Sequence, residues 1–265
     1  MSRILAHLRQ LLAALTAVVV VAGPIAPAAR AQFGGSESTA IREGYVLPGG
    51  EVRILVFRPD VRVGEQTTGG MNEPNAGWTL EARANLVAAL DRARAMAGSR
   101  TVLVPELEGA QGALVADYTA LFTAVANAAF THKLFPGNRL PTKRNTFDWT
   151  LGEGAAALKA LGGDYGLFFY TYDSYGSAGR KVAQVLGAVM GFGLMQSGVH
   201  VGYAGLVDLA TGDLVWLNAD VAMGGDVRTA EGATKRVAQL LEGFPIRGRG
   251  SVIVGEEKTA GQAEP

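Results

Sequence analysis

LVDLATGDLVWLN, Leu206 to Asn218, reads as strand, tight turn, strand. Branched and apolar residues flank Thr211-Gly212, and glycine suits the left-handed position of a short hairpin loop with a bulge. Leu214 to Asp220 is therefore expected to pair back on the strand that ends at Leu209. On that strand Val199, Val201, Tyr203, Val207 and Leu209 share one face.

Upstream of the hairpin, strands and helices alternate. Glu51 to Pro59 is apolar on both faces through Val52, Ile54, Leu55, Val56 and Phe57, as a central strand covered by helices requires. Val61 to Asn75 is polar and Gly-rich and reads as a loop. Gly77 to Ala97 has helical spacing, with Trp78, Ala82, Leu86, Ala89, Leu90 and Ala93 on one side. Thr101 to Pro105 is a short buried strand, and Leu114 to Ala129 carries a second helical stripe. Leu151 to Leu161 is a third, shorter helix closed by Gly162-Gly163. Asp164 to Tyr175 is an aromatic-rich strand, and Thr229 to Gly243 is the last helix, with Pro245 beyond it. This order predicts an α/β domain: one mixed sheet of about five strands with helices packed on it.

The domain is expected at 51–245. Residues 1–31 read as a signal peptide: Arg3 and Arg9, then an apolar run, then the small-x-small site Ala29-Arg30-Ala31. Residues 32–50 read as a flexible leader and 246–265 as a loose polar tail. Loss of Arg3, Arg9 and Arg30 leaves 21 basic against 24 acidic residues, so no basic face for nucleic acid is implied. Cysteine is absent, which excludes disulfides, thiolate chemistry and a lipidated cysteine at the cleavage site. A periplasmic protein follows, with no cofactor and no metal expected.

Catalytic patterns are scarce. There is no G-x-S-x-G, and Gly176-Ser177-Ala178-Gly179 has the wrong spacing for a nucleophile elbow. The glycines before Arg180-Lys181 do not form a phosphate loop. His132 and His200 have no companion at metal-ligand spacing and read as structural. Asp173 stands among Tyr170, Tyr172 and Tyr175, a setting that suits either a hydrogen-bonded acid on an aromatic sheet face or a ligand-facing site. The oddest stretch is Val182 to Met195 (VAQVLGAVMGFGLM), apolar except for Gln184 and too short to span a bilayer as a helix. It is either a helix buried against the sheet or an element facing a partner or a membrane surface. Gly187-x-x-x-Gly191 would let another backbone approach closely. On the second reading the contact residues are Val185, Leu186, Val189, Met190, Phe192, Leu194 and Met195.

Three strings resemble one group of bacterial envelope proteins. They are Gly163-Asp164-Tyr165-Gly166-Leu167-Phe168, the Leu206 to Trp216 hairpin, and the glycine-rich apolar insert from Gly187 to Gly198 between them. Phe147 to Gly152 (FDWTLG) and Tyr172 to Arg180 (YDSYGSAGR) look like strings in uncharacterised exported proteins of the same kind. The group includes the amino-terminal domain of TolB, the curli-secretion channel protein and the lipoprotein activators of penicillin-binding proteins. The resemblance implies a sandwich like the anticodon-binding domain and a non-enzymatic role, binding an envelope partner or self-associating, with peripheral membrane contact as a further mode. It carries no catalytic residues. The chain departs from many of those proteins in lacking the lipidated cysteine, and its insert is shorter and more apolar than the barrel-forming one of the curli channel. The alternatives are an exported enzyme acting on a wall glycan through Asp173, or a protein that binds an apolar ligand or lipid.

Overall fold

A computed structural model describes residues 37–48, 52–94, 100–135, 137–177, 179 and 198–245. The expected signal peptide, the tail 246–265 and all seven expected contact residues from Val185 to Met195 lie outside the described residues.

The fold class is as expected, a single mixed sheet with helices packed on it, but the sheet has eight strands. These are β1 (Glu37–Ile41), β2 (Arg53–Val56), β3 (Asp60–Gln66), β4 (Asn72–Pro74), β5 (Arg100–Leu103), β6 (Tyr165–Gly176), β7 (Val199–Asp208) and β8 (Leu214–Asp220). The order runs β1-β8-β7-β6-β2-β5. The pairs β6–β7, β7–β8 and β8–β1 are antiparallel. β2 is parallel to both β5 and β6. β3 continues along the same side of β6, also parallel, from Asp60↔Tyr170 to Gln66↔Gly176, and β4 folds back on it.

Two expectations are corrected here. The stretch 32–50, read as a leader, contains β1, in register with β8 from Glu37↔Asp220 to Ile41↔Trp216, and it buries Leu47. The stretch 61–75, read as a loop, contains most of β3 together with β4. Both are peripheral strands whose main-chain hydrogen bonds go to distant partners, so a polar composition costs them little. β3 nonetheless alternates as a strand should: Val61 and Val63 are buried while Arg62 is exposed.

Among the described residues three α-helices pack on the sheet. α1 (Ala76–Ala93) starts where the Asn75 side chain accepts from the Trp78 N–H at 3.0 Å, and it buries Ala82, Leu86, Ala89, Leu90 and Ala93. α3 (Ala230–Leu240) is capped in the same way by Thr229, which accepts from Gly232 N–H at 3.0 Å. These two helices share one core with Ile54, Val56, Leu167, Phe169, Leu206 and Trp216. α2 (Gly109–Ala129) lies on the other face, where Phe122 and Ala126 meet Leu55, Phe57, Phe168, Val207 and Leu217. Gly205 permits the close approach, since a Cβ there would lie 2.4 Å from the Phe122 ring. The third expected helix is a 3-10 helix, Glu153–Leu161, and Gly162 closes it in the left-handed conformation at φ 86°.

The opening hairpin is more than a turn. Gly212 has φ 77°, and its N–H donates to Asp208 O at 2.8 Å. Asp208 Oδ1 accepts from Ala210 N–H at 2.8 Å. The segment FDWTLG is strapped over this turn: Leu151 N–H donates to Gly212 O at 2.7 Å and Leu214 N–H to Trp149 O at 2.9 Å. A Cβ on Gly212 would sit 2.0 Å from Gly152 O. Two glycines therefore interlock the strap with the hairpin.

Candidate functional site

Period-two alternation along β6 separates the residues that proximity in sequence had grouped. Tyr170 and Tyr172 point to the α2 face, whereas Thr171, Asp173 and Tyr175 point to the face of α1 and α3. The structure thus does not bring Tyr170, Tyr172, Asp173 and Tyr175 into one site.

On the α2 face, Tyr170 stacks on Tyr203 with ring centroids 5.7 Å apart, and Arg62 lies over the Tyr170 ring at 5.7 Å. Tyr203 O–H donates to Asn127 Oδ1 at 3.2 Å. With Tyr172 and Thr123 these residues line an open groove of about 470 Å³. Burial pushes the Tyr203 phenol up to about 12 and raises Tyr170 as well, so both rings stay neutral near pH 7.

On the opposite face, Asp173 is the centre of a buried ionic node. Asp173 and Arg236 both have side chains with 0% exposure. Arg236 reaches Asp173 from α3 with two parallel bonds, Nη1 to Oδ2 at 2.8 Å and Nη2 to Oδ1 at 2.7 Å. Its Nε donates to Gly224 O at 3.1 Å, Nη2 donates again to Gly225 O at 3.1 Å, and Nη1 also donates to Thr171 Oγ1 at 2.5 Å. All five guanidinium N–H groups are therefore used. His200, the cross-strand partner of Asp173 on β7, adds a contact from Nδ1 to Oδ1 at 2.6 Å. Thr171 Oγ1 lies 3.0 Å from Oδ2.

Burial alone would raise the Asp173 carboxyl, but the hydrogen bonds from His200 and Arg236 and the Arg236 charge outweigh it and hold the group below the ordinary carboxylate range. Around the node Tyr175 packs its ring 5.1 Å from His200, and Arg228 lies 3.8 Å above the same ring. Arg228 also holds Asp226, whose carboxyl drops to about 2, chiefly through that hydrogen bond. The Tyr175 phenol is raised, first by burial and then by the charges of Asp173 and Asp226.

A saturated carboxylate with no exposure has no lone pair to offer a substrate. What the node does is fix the register of β6 and β7 at Asp173↔His200, three residues before β6 ends and 22 residues of connection begin. Sequence reasoning found Asp173 and His200 but missed Arg236. The available signal was helical spacing: Ala233, Arg236, Val237 and Leu240 lie on one face of α3, and that face is buried.

His132 lies in the π-helical turn after α2, with Nδ1 3.4 Å from Asn138 O. Among the described residues, no group of three or more His, Asp or Glu is arranged to hold a metal.

No family model matches the chain, and no curated protein matches it. Among solved structures it is similar to the PelC dodecamer from Paraburkholderia phytofirmans in two crystal forms. The identity is 13%, the coverage is 80% and 81% of this chain and 99% of that one, and the TM-scores are 0.34 and 0.33.

Proposed function

We propose that this chain is a non-enzymatic periplasmic protein that works by binding a cell-envelope partner or a second copy of itself, and that it belongs with the TolB-like and curli-secretion-like exported proteins. One observation carries the reading. β6 and β7 are adjacent antiparallel strands, which a loop of roughly two to five residues is enough to join, yet 22 residues join them. The middle of that connection is the apolar run Val182 to Met195. The root from which it leaves is clamped by Arg236, Asp173 and His200. On this reading Val185, Leu186, Val189, Met190, Phe192, Leu194 and Met195 make the contact with a partner or, peripherally, with a membrane surface. The saturation of Asp173 supports the non-enzymatic reading, because the acid that a glycan-cleaving site would need is already spent on Arg236.

Deletion of Val182 to Met195 is the test. The deleted protein should keep its melting temperature within a few degrees while losing cross-linked or sedimenting assemblies in intact cells. If it unfolds, the run belongs to the core; if assemblies persist, the contact lies elsewhere. Either result sinks the proposal.

A further inference from the structure

The end of β5 opens a second place where the fold can hold something, far in sequence from residues 182–195. β2 and β5 run parallel, and each is followed within three residues by a proline, at Arg58-Pro59 and Val104-Pro105. Proline has no N–H for a ladder and holds the preceding residue extended, so β5 cannot continue and the chain veers into the next segment. The helix that precedes β5, α1, packs on one face of the sheet, and the helix that follows it, α2, packs on the other. In an α/β sheet the crevice beyond the carboxyl ends of such strands is where ligands are held. Here it consists of two depressions, of about 350 Å³ and about 570 Å³.

Both depressions are lined by the same two cations, Arg58 and Arg83. Neither makes a hydrogen bond or ion pair with any described residue, although acids stand close by: Asp60 is paired with Arg62, Asp91 with Arg94, and Glu106 lines the crevice without reaching them. Arg58 Nε is buried and has no acceptor. A buried guanidinium N–H without an acceptor is destabilising, and Arg236 in the same molecule has every one of its donors satisfied. The remaining walls are apolar: Leu107 and Val115 on one side, Leu80, Val87 and Leu103 on the other.

We propose that this crevice is a binding site for a small amphiphilic anion, with a carboxylate or phosphate head between Arg58 and Arg83 and an apolar body against Leu80, Val87 and Leu103. A planar fork of N–H donors matches an oxyanion, and two forks at one divide match a single anionic head flanked by apolar surface.

The site is tested by titrating the full chain with octanoate, octyl phosphate, acetate and octanamide, followed by calorimetry or ligand-detected NMR. Octanoate or octyl phosphate should bind, and whichever binds more tightly identifies the head. Acetate, which lacks the body, and octanamide, which lacks the charge, should bind at least about tenfold more weakly. Arg83→Gln, on an exposed position, and Arg58→Gln should each weaken octanoate binding about tenfold, the order of one lost charge-assisted hydrogen bond. Ala116→Phe should narrow the neighbouring lobe and weaken it less. Arg139→Gln, an exposed charge elsewhere, should change nothing, and melting curves should report the folded state of each variant. The proposal is overturned if octanamide binds as well as octanoate, or if Arg83→Gln binds like the unmodified chain. It is also overturned if none of the four binds at about 1 mM, the weakest specific range of interest.

Discussion

β7 is entered and left by two very different connections. Leaving it, five residues suffice to reach β8, and each one is spoken for: Gly212 is left-handed, Asp208 caps Ala210, and the FDWTLG strap presses on the turn. Entering it, 22 residues arrive from β6, and at their root Arg236 and His200 converge on Asp173. The difference teaches where this protein spends its specificity. One hairpin is fixed by turn chemistry and backbone interlock; the other is fixed by charge at the root of its connection.

The largest expected effect comes from attacking the charged root. Arg236→Met leaves Asp173 buried without its counter-charge and should cost about 3–5 kcal/mol in denaturant unfolding. The double variant Arg236→Met, Asp173→Leu removes both charges and should recover most of that loss. A double variant as unstable as the single one would mean that the node supports the fold by packing and not by pairing. The same double variant sharpens the acid response. The Asp173 carboxyl titrates below its unfolded value of about 3.9. Its contribution to stability is therefore complete above about pH 4 and fades as pH falls through the lowered value. Melts from pH 6 to pH 2 should lose stability more steeply in the unmodified protein than in the double variant. Equal slopes would remove the node as a source of acid sensitivity.

Next in size is the tight turn. Gly212→Ala forces a side chain into φ 77° and against Gly152 O, and should cost about 3 kcal/mol by thermal melt. Smaller still is the response to lengthening. On the proposed outward-facing reading of 182–195, four Gly-Ser residues inserted there should cost well under about 1 kcal/mol, because closure entropy grows only with the logarithm of loop length. The same four residues between Ala210 and Thr211 should approach the loss seen for Gly212→Ala, and equal costs at the two sites would erase the contrast. Arg42→Ala, which removes the partly exposed pair with Asp213 at the rim of the turn, should cost under about 1 kcal/mol.

The layered α/β plan was legible because its central strands are apolar on both faces and its helices carry regular stripes. Ile54, Leu55, Val56 and Phe57 are all buried, as a strand between two helical layers demands. β1 was not legible: ESTAI has no alternation of its own, and Thr39 meets its partner Asn218 at a separation of 179 residues. β3 was hidden by charge, since Asp60, Arg62 and Glu65 mask the alternation of Val61 and Val63. At the candidate site, Asp173 drew notice by its aromatic neighbours, yet two of those, Tyr170 and Tyr172, lie through the sheet from it. Adjacency in a strand is adjacency in chain only. The arginine that decides the chemistry of Asp173 comes from a helix 63 residues downstream, a distance across which no local pattern reaches.

The pairing of Glu37–Ile41 with Leu214–Asp220 sets the timetable of folding. Among the described strands, β1 is made first and its ladder partner β8 nearly last, so the sheet cannot close in the order in which it is produced. A chain stopped before Leu214 would keep every residue of β1 and lose its whole ladder to β8. Such a fragment should stay open and protease-sensitive at its front end, and adding Leu214 to Asp220 should be what seals it.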